Sequence, residues 1–191
     1  KKEDRPINQN WSWDRILRSI FIKQADVLQG IYFFEDHFSE DEIRDNFEFY
    51  EPKTVHESSL SSCIHAILAA KLNKMDKAYE LYLRTSRLDL DDYNQEANEG
   101  LHITSMAGTW LSVIEGFAGI RIKKQQLYIN PKLPNEWKEL KFNLVVNNNL
   151  LQIEINHNHF TVFNPGEEKI TFSHKDKWYD ILAHKVTHIT F

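Results

Sequence analysis

Thr104-Ser-Met-Ala-Gly-Thr-Trp-Leu-Ser-Val-Ile-Glu-Gly-Phe-Ala-Gly-Ile-Arg-Ile-Lys-Lys-Gln-Gln-Leu-Tyr-Ile129 contains the change of hydrophobic period on which the fold turns. Before Gly119 the apolar residues recur at helical spacing; from Leu127 and Ile129 onward they recur every second residue, as on half-buried strands. Gly119 reads as the stop of the last helix. Upstream, the 13–34 stretch carries Ile16, Leu17, Ile20, Phe21, Leu28, Ile31 and Phe34 and reads as helix, apolar on more than one side. Ser39-Glu-Asp-Glu42 has the spacing of a capping box and starts a helix through about Phe49, before Pro52 breaks it. Further helices are expected at about 59–72, 76–90 and 104–118, with Asp76 as the N-cap of the second. Downstream, Phe142, Leu144 and Val146, then Leu151, Ile153 and Ile155, then Phe160 and Val162, then Ile170 and Phe172 alternate as strands. Asn147-Asn-Asn149 and Asn164-Pro-Gly166 are the turns between them, and 178–182 and 184–191 close the sheet. The fold class is α+β: a helical segment over 1–119, then an antiparallel β-sandwich of serial hairpins over 120–191.

The composition narrows the chemistry. At 191 residues, 41% hydrophobic and 27% charged, the chain can bury a substantial core. A net charge of -5 gives no general attraction for a polyanion, and no basic block with interleaved aromatics suggests a nucleic-acid partner. No apolar run reaches the roughly 20 residues that span a bilayer, so no membrane partner is expected. The single cysteine, Cys63, sits among Ile64, Ala66 and Ile67 and reads as a buried small hydrophobe; a cytoplasmic location is the default expectation.

Two polar segments each lead into an apolar helix: Glu51-Pro-Lys-Thr-Val-His-Glu-Ser-Ser-Leu-Ser61 and Glu99-Gly-Leu-His-Ile-Thr-Ser-Met-Ala-Gly-Thr-Trp110. Each places a histidine and hydroxyls where helix N–H groups can converge with them on an anion, as in a phosphate pocket. The competing reading is two helices capped by Ser and Thr. Lys23 and Gln24 read as polar groups inside an apolar helix, or Lys23 reads as part of a solvent stripe with Asp26 and Gly30.

Together with Lys23-Gln-Ala-Asp-Val27 and Leu83-Arg-Thr-Ser-Arg-Leu-Asp-Leu-Asp-Asp-Tyr93, these segments resemble the disaccharide phosphorylases that include maltose, trehalose and kojibiose phosphorylases, glycoside hydrolase family 65. Asn130-Pro-Lys-Leu-Pro-Asn-Glu-Trp137 resembles the entry to that family's C-terminal sheet domain. The resemblance covers essentially the whole chain, but family members are several times longer. It implies the last helices of an (α/α)6 barrel followed by the β-sandwich. It also implies inverting phosphorolysis, in which inorganic phosphate attacks the anomeric carbon of an α-linked glucoside to give β-glucose 1-phosphate and a sugar. By resemblance Lys23 and Gln24 bind glucose hydroxyls, and Ser58, Ser59, His102, Thr104 and Ser105 bind phosphate. The family's general acid is a glutamate upstream of the Lys-Gln motif, so this chain carries no catalytic residue of its own. No cofactor is implied beyond inorganic phosphate as co-substrate. The partners are a disaccharide, phosphate, and either a second copy or the N-terminal part of the same enzyme. The alternative is a non-catalytic carbohydrate- or phosphate-binding module that pairs with another chain.

Glu57 reads as an exposed first-turn glutamate rather than an acid catalyst. No structural metal is expected: His56-Glu-Ser-Ser-Leu60 lacks the second histidine of a zincin motif, and His157 with His159 on one strand face are only two ligands. The Asp89–Asp92 run reads as a helix end engaging Arg84 or Arg87. Trp110, Trp137 and Trp178 read as core aromatics in preference to sugar platforms.

Overall fold

A computed structural model describes residues 7–92, 95, 98 and 100–191; Tyr93 and Glu99 of the quoted motifs lie outside the described residues. The chain forms two compact units, Lys1–Ser112 and Val113–Phe191.

The first unit is helical: α1 (Ile7–Asn10), α2 (Trp13–Leu17), α3 (Asp26–Phe33), α4 (Glu40–Tyr50), α5 (Ser61–Lys71), α6 (Met75–Ser86), α7 (Leu88–Asp91) and α8 (Ile103–Leu111). At its centre is α5, buried from Ser61 to Ala70, which is why its sequence is apolar all round. Its neighbours are amphipathic. In α6, Ala78, Leu81 and Thr85 are buried, and in α4, Ile43 and Phe47. The capping box at the start of α4 forms in full: Glu42 N–H donates to Ser39 Oγ at 3.2 Å, and Ser39 N–H donates back to Glu42 Oε2 at 2.8 Å.

The structure revises three helical expectations. The 13–34 stretch is not continuous helix. It breaks after α2, and Ile22 joins Thr54 in a parallel bridge, with Ile22 N–H donating to Lys53 O and Val55 N–H to Ile22 O. Lys23 and Gln24 therefore lie on a loop, not in a helix. The 76–90 stretch is α6 plus the single turn α7, ended by Asp92 with a left-handed backbone; Asp76 lies inside the first turn of α6, whose cap position is Lys74. The 104–118 stretch ends as α-helix at Leu111 and continues as one π-helical turn, Ser112–Phe117. The two units divide after Ser112, earlier than the Gly119 expectation, because Ile114 and Ala118 belong to the second unit's core. Among the described residues no helix is long and apolar enough to cross a membrane.

The second unit has two four-stranded sheets, ordered β1-β2-β6-β7 and β3-β4-β5-β8. The strands are β1 (Ile120–Lys123), β2 (Gln126–Ile129), β3 (Glu139–Val146), β4 (Asn149–Asn156), β5 (His159–Asn164), β6 (Ile170–His174), β7 (Lys177–Ile181) and β8 (Lys185–Thr190). The alternation places Leu127 and Ile129, Leu151, Ile153 and Ile155, Phe160 and Val162, and Phe172 in one core. The serial-hairpin expectation fails at two pairings: β2 pairs with β6 in parallel, Leu127 opposite Phe172, and β5 pairs with the non-consecutive β8, Phe160 opposite Ile189. β1 escaped the sequence reading. Its hairpin turn, Lys124-Gln125, has both residues at positive φ, as does Asn147-Asn148 between β3 and β4. Asn announces such a turn and Lys-Gln does not.

Candidate functional site

Lys23, Gln24 and both polar segments meet through a small set of tethers. Ala25 N–H donates to Ser61 Oγ at 3.1 Å, tying the Lys-Gln loop to the first residue of α5. Lys23 Nζ pairs with Glu57 Oε2 at 3.1 Å, while Gln24 Nε2 donates to Asp26 Oδ1 at 2.8 Å. Glu57 thus precedes the helix and engages Lys23 instead of standing exposed in a first turn. The 54–60 loop is held from the other side by Arg84, whose guanidinium donates to His56 O at 2.8 Å.

One turn beyond Arg84 comes Asp89, which grips the second polar segment. Its Oδ2 accepts from His102 N–H at 3.0 Å and its Oδ1 lies 2.6 Å from His102 Nδ1. The hydrogen bond from His102 is the main reason that the Asp89 carboxyl lies below its usual range. An ionised carboxylate only accepts, so Nδ1 carries the proton, and Nε2 is the ring nitrogen not engaged by Asp89. The acidic run therefore does not act as one unit: Arg87 takes Asp91 in two bonds of 2.7 and 2.6 Å, Arg84 goes to the other loop, and Asp89 orients His102. Asp89 is the site residue that sequence reasoning missed. Its only signal was membership of a quoted motif.

The two helix starts differ from the capped-helix reading. Neither α5 nor α8 has a side-chain hydrogen bond at its cap, as is also true of α3, α6 and α7, whereas Ser12 caps α2 and Ser39 caps α4. Ser58 Oγ accepts from Leu60 N–H at 3.3 Å, and Ser58 and Ser59 are part-exposed in the turn before α5. Thr104 is exposed in the first turn of α8. Ser105 is buried and its hydroxyl donates to Thr85 O at 2.8 Å, which fastens α8 to α6.

Gly108 completes that fastening. A Cβ there would meet Cys63 Cβ at 2.7 Å and Sγ at 2.8 Å, so α8 seats against α5 only because position 108 lacks a side chain. Gly108→Ala is expected to cost about 1–3 kcal/mol as an overpacked contact. Chemical denaturation would register it, and an unchanged midpoint would show that the helices separate freely.

The remaining sequence candidates disperse. His157 lies in the turn between β4 and β5 and its Nε2 is 2.7 Å from Trp137 O, so it shares no strand face with His159. Trp110 and Trp178 are more than half exposed, contrary to the core reading, whereas Trp137 packs edge-on against Phe117.

Residues 1–111 match the model of the glycosyl hydrolase family 65 central catalytic domain, and residues 120–181 that of the family's C-terminal domain. Over 152 residues the chain is 60% identical to a maltose phosphorylase of Bacillus subtilis (strain 168), covering 80% of this chain and 20% of that protein. It is 43% identical over 139 residues to an alpha,alpha-trehalose phosphorylase of Thermoanaerobacter brockii, covering 73% of this chain and 18% of the relative. A solved structure provisionally called a kojibiose phosphorylase, from the human microbiome, superposes with a TM-score of 0.90 at 34% identity over 100% of this chain and 28% of its own. The chain thus spans about a fifth of the length of the curated relatives it matches.

Proposed function

The chain belongs to glycosyl hydrolase family 65, and from that premise we propose that it is the C-terminal part of an inverting disaccharide phosphorylase, contributing the phosphate cradle and one side of the glucose subsite. The observation that carries this reading is the tethering of the Lys23-Gln24 loop and of both helix-opening segments by Ser61, Glu57, Arg84 and Asp89. Both α5 and α8 begin without a side-chain cap, and residues 84–89 tether the loop before each of them. N–H groups left without a side-chain acceptor are matched by the oxygens of a phosphate.

In this reading His102 Nε2 donates to a phosphate oxygen, and Asp89 compensates the charge that an imidazolium carries. Ser58, Ser59 and Thr104 add hydroxyl donors, while Ser105 holds α8 in place. Lys23 and Gln24, on the loop tied to the head of α5, hydrogen-bond glucose hydroxyls. Phosphate then attacks the anomeric carbon, the C–O bond to the leaving sugar breaks, and a carboxylic acid protonates the leaving oxygen. Phosphate takes the place of the base-activated water of an inverting hydrolase. The acid is supplied from outside these 191 residues, so the isolated chain binds without turning over.

The exposed apolar helix faces support a larger parent. Leu17 is 78% exposed, Phe33 65% and Ile103 66%. The other helices of the barrel would cover them. Calorimetric titration of the isolated chain with inorganic phosphate, alongside assays on maltose, trehalose, kojibiose and nigerose, tests the assignment. Phosphate binding without phosphorolysis is the expected result. Phosphorolysis by the isolated chain would place the acid within it, and absence of phosphate binding would favour a purely structural module.

A further inference from the structure

His56, whose sequence neighbours lack a second histidine at zincin spacing, acquires one in three dimensions. The imidazole of His65, nine residues on and in the second turn of α5, lies 4.6 Å from that of His56 between ring centroids. Glu51, in the turn that ends α4, brings Oε1 to 3.9 Å from His56 Nε2. One donor atom from each of the three residues lies within 4.8 Å of the others.

The two histidines are buried, His65 at 0% and His56 at 9% exposure, and none of their four ring nitrogens has a hydrogen-bond partner. Buried polar groups left in this state are destabilising. The two rings meet edge-on, at 77° between planes, and buried ring nitrogens without a partner call for one. A neutral imidazole offers one ring-nitrogen lone pair to a metal ion. His56 also has a left-handed backbone, φ 55, a strain that a non-glycine residue sustains only when its surroundings impose it. Arg84 donates to the carbonyl of the same residue at 2.8 Å.

We propose that Glu51, His56 and His65 bind a divalent transition-metal ion of the zinc class, through one carboxylate oxygen and two imidazole nitrogens. Such a donor set suits zinc and its neighbours, and solvent provides the fourth ligand. Glu51 also lines an open pocket of about 580 Å³ with Asn73, Lys74 and Lys77, so the carboxylate end of the cluster borders solvent. Around a tetrahedral ion with bonds of 2.0–2.1 Å the donors sit about 3.3 Å apart, so the side chains close by about an ångström on binding. Lys77 is the opposing charge, 3.4 Å from Glu51 Oε1. It has a second partner in Glu80 at 2.9 Å and remains paired when Glu51 turns inward. The ion's role is structural: it pins the end of α4, the loop carrying Ser58 and Ser59, and the buried face of α5 to one another.

The proposal stands independently of phosphorolysis, since the metal can be followed by its own spectrum. The test is a cobalt(II) titration of the intact protein that carries this chain, followed by ligand-field absorption and by competition with zinc. One equivalent of cobalt should give the intense bands of a four-coordinate ion, and zinc should abolish them. His65→Gln and His56→Gln should each weaken binding more than about 100-fold, beyond the 10–100-fold typical of losing an outer-shell partner. Should either glutamine variant not fold, Glu51→Gln, at the pocket edge, should still weaken binding at least about tenfold. Wild-type spectra showing only the hydrated ion, or equal affinity in a folded variant, would overturn the proposal and leave buried water to satisfy the two rings.

Discussion

If the proposed phosphate role holds, His102→Ala in the full-length protein that carries this chain is expected to raise the KM for phosphate by between about ten- and a hundredfold, with the KM for disaccharide little changed. The estimate is the 1.5–3 kcal/mol of a hydrogen bond to a charged group, at 1.4 kcal/mol per factor of ten. Asp89 orients the ring, accepting hydrogen bonds from both the backbone N–H and the Nδ1–H of His102. Asp89→Asn should act in the same direction with a smaller effect, because an amide can donate to Nδ1 and reverse the tautomer. The pair also has a defined acid limit. Asp89's folded-state pKa lies below its ordinary 3.8, so the contact is at full strength above that value and is lost as pH falls through the lower one. Steady-state kinetics with each substrate varied in turn settles the matter; a rise confined to the disaccharide KM would move His102 out of the phosphate site.

Gly119→Ala should be the most damaging single methyl in the chain. Gly119 has φ +60, where an L side chain costs about 1–2 kcal/mol, and its added Cβ would fall inside the carbonyl of Asn130. That carbonyl belongs to the backbone, and Asn130 N–H also donates to Gly119 O at 3.1 Å, so neither side can withdraw cheaply. With about 1–3 kcal/mol of steric cost added, the total reaches roughly 3 kcal/mol, a fall in Tm of more than about 10 °C for a unit of this size. Gly30→Ala is the matched control. Nothing lies within 4 Å of its Cβ and it sits within α3, so helix propensity should make it neutral to stabilising by up to about 1 kcal/mol. Equal melting shifts for the two variants would refute the account.

The contrast between these glycines shows what can be read locally. Gly119 was legible as a helix stop because a change of period follows it, and the strands beyond were legible because a core needs every second residue. The capping box at Ser39 and the Asn147-Asn148 turn were legible for the same reason: their partners are three residues or fewer away. Where a signal was shared or missing, the reading failed. Lys23 and Gln24 lie in a stretch apolar enough for helix, yet Ile22 bonds across to residues 53–55, far along the chain. β1 has only four residues and a turn of Lys-Gln, without the Gly or Asn that marks such turns.

By itself the sequence determined the α+β class, the place where helices yield to strands, the residues of the sandwich core and, through four ordered motifs, the family. Tertiary structure alone decided that Asp89 belongs to His102 rather than to an arginine, that Arg84 and Asp89 tether two loops from one stretch, and that Glu51, His56 and His65 face one another. The physical reason is the range of the forces that specify each. Period, caps and tight turns are satisfied between neighbours, whereas a buried donor or charge accepts whichever partner the packing of α4, α5, α6 and α8 brings within about 3 Å, at any separation along the chain.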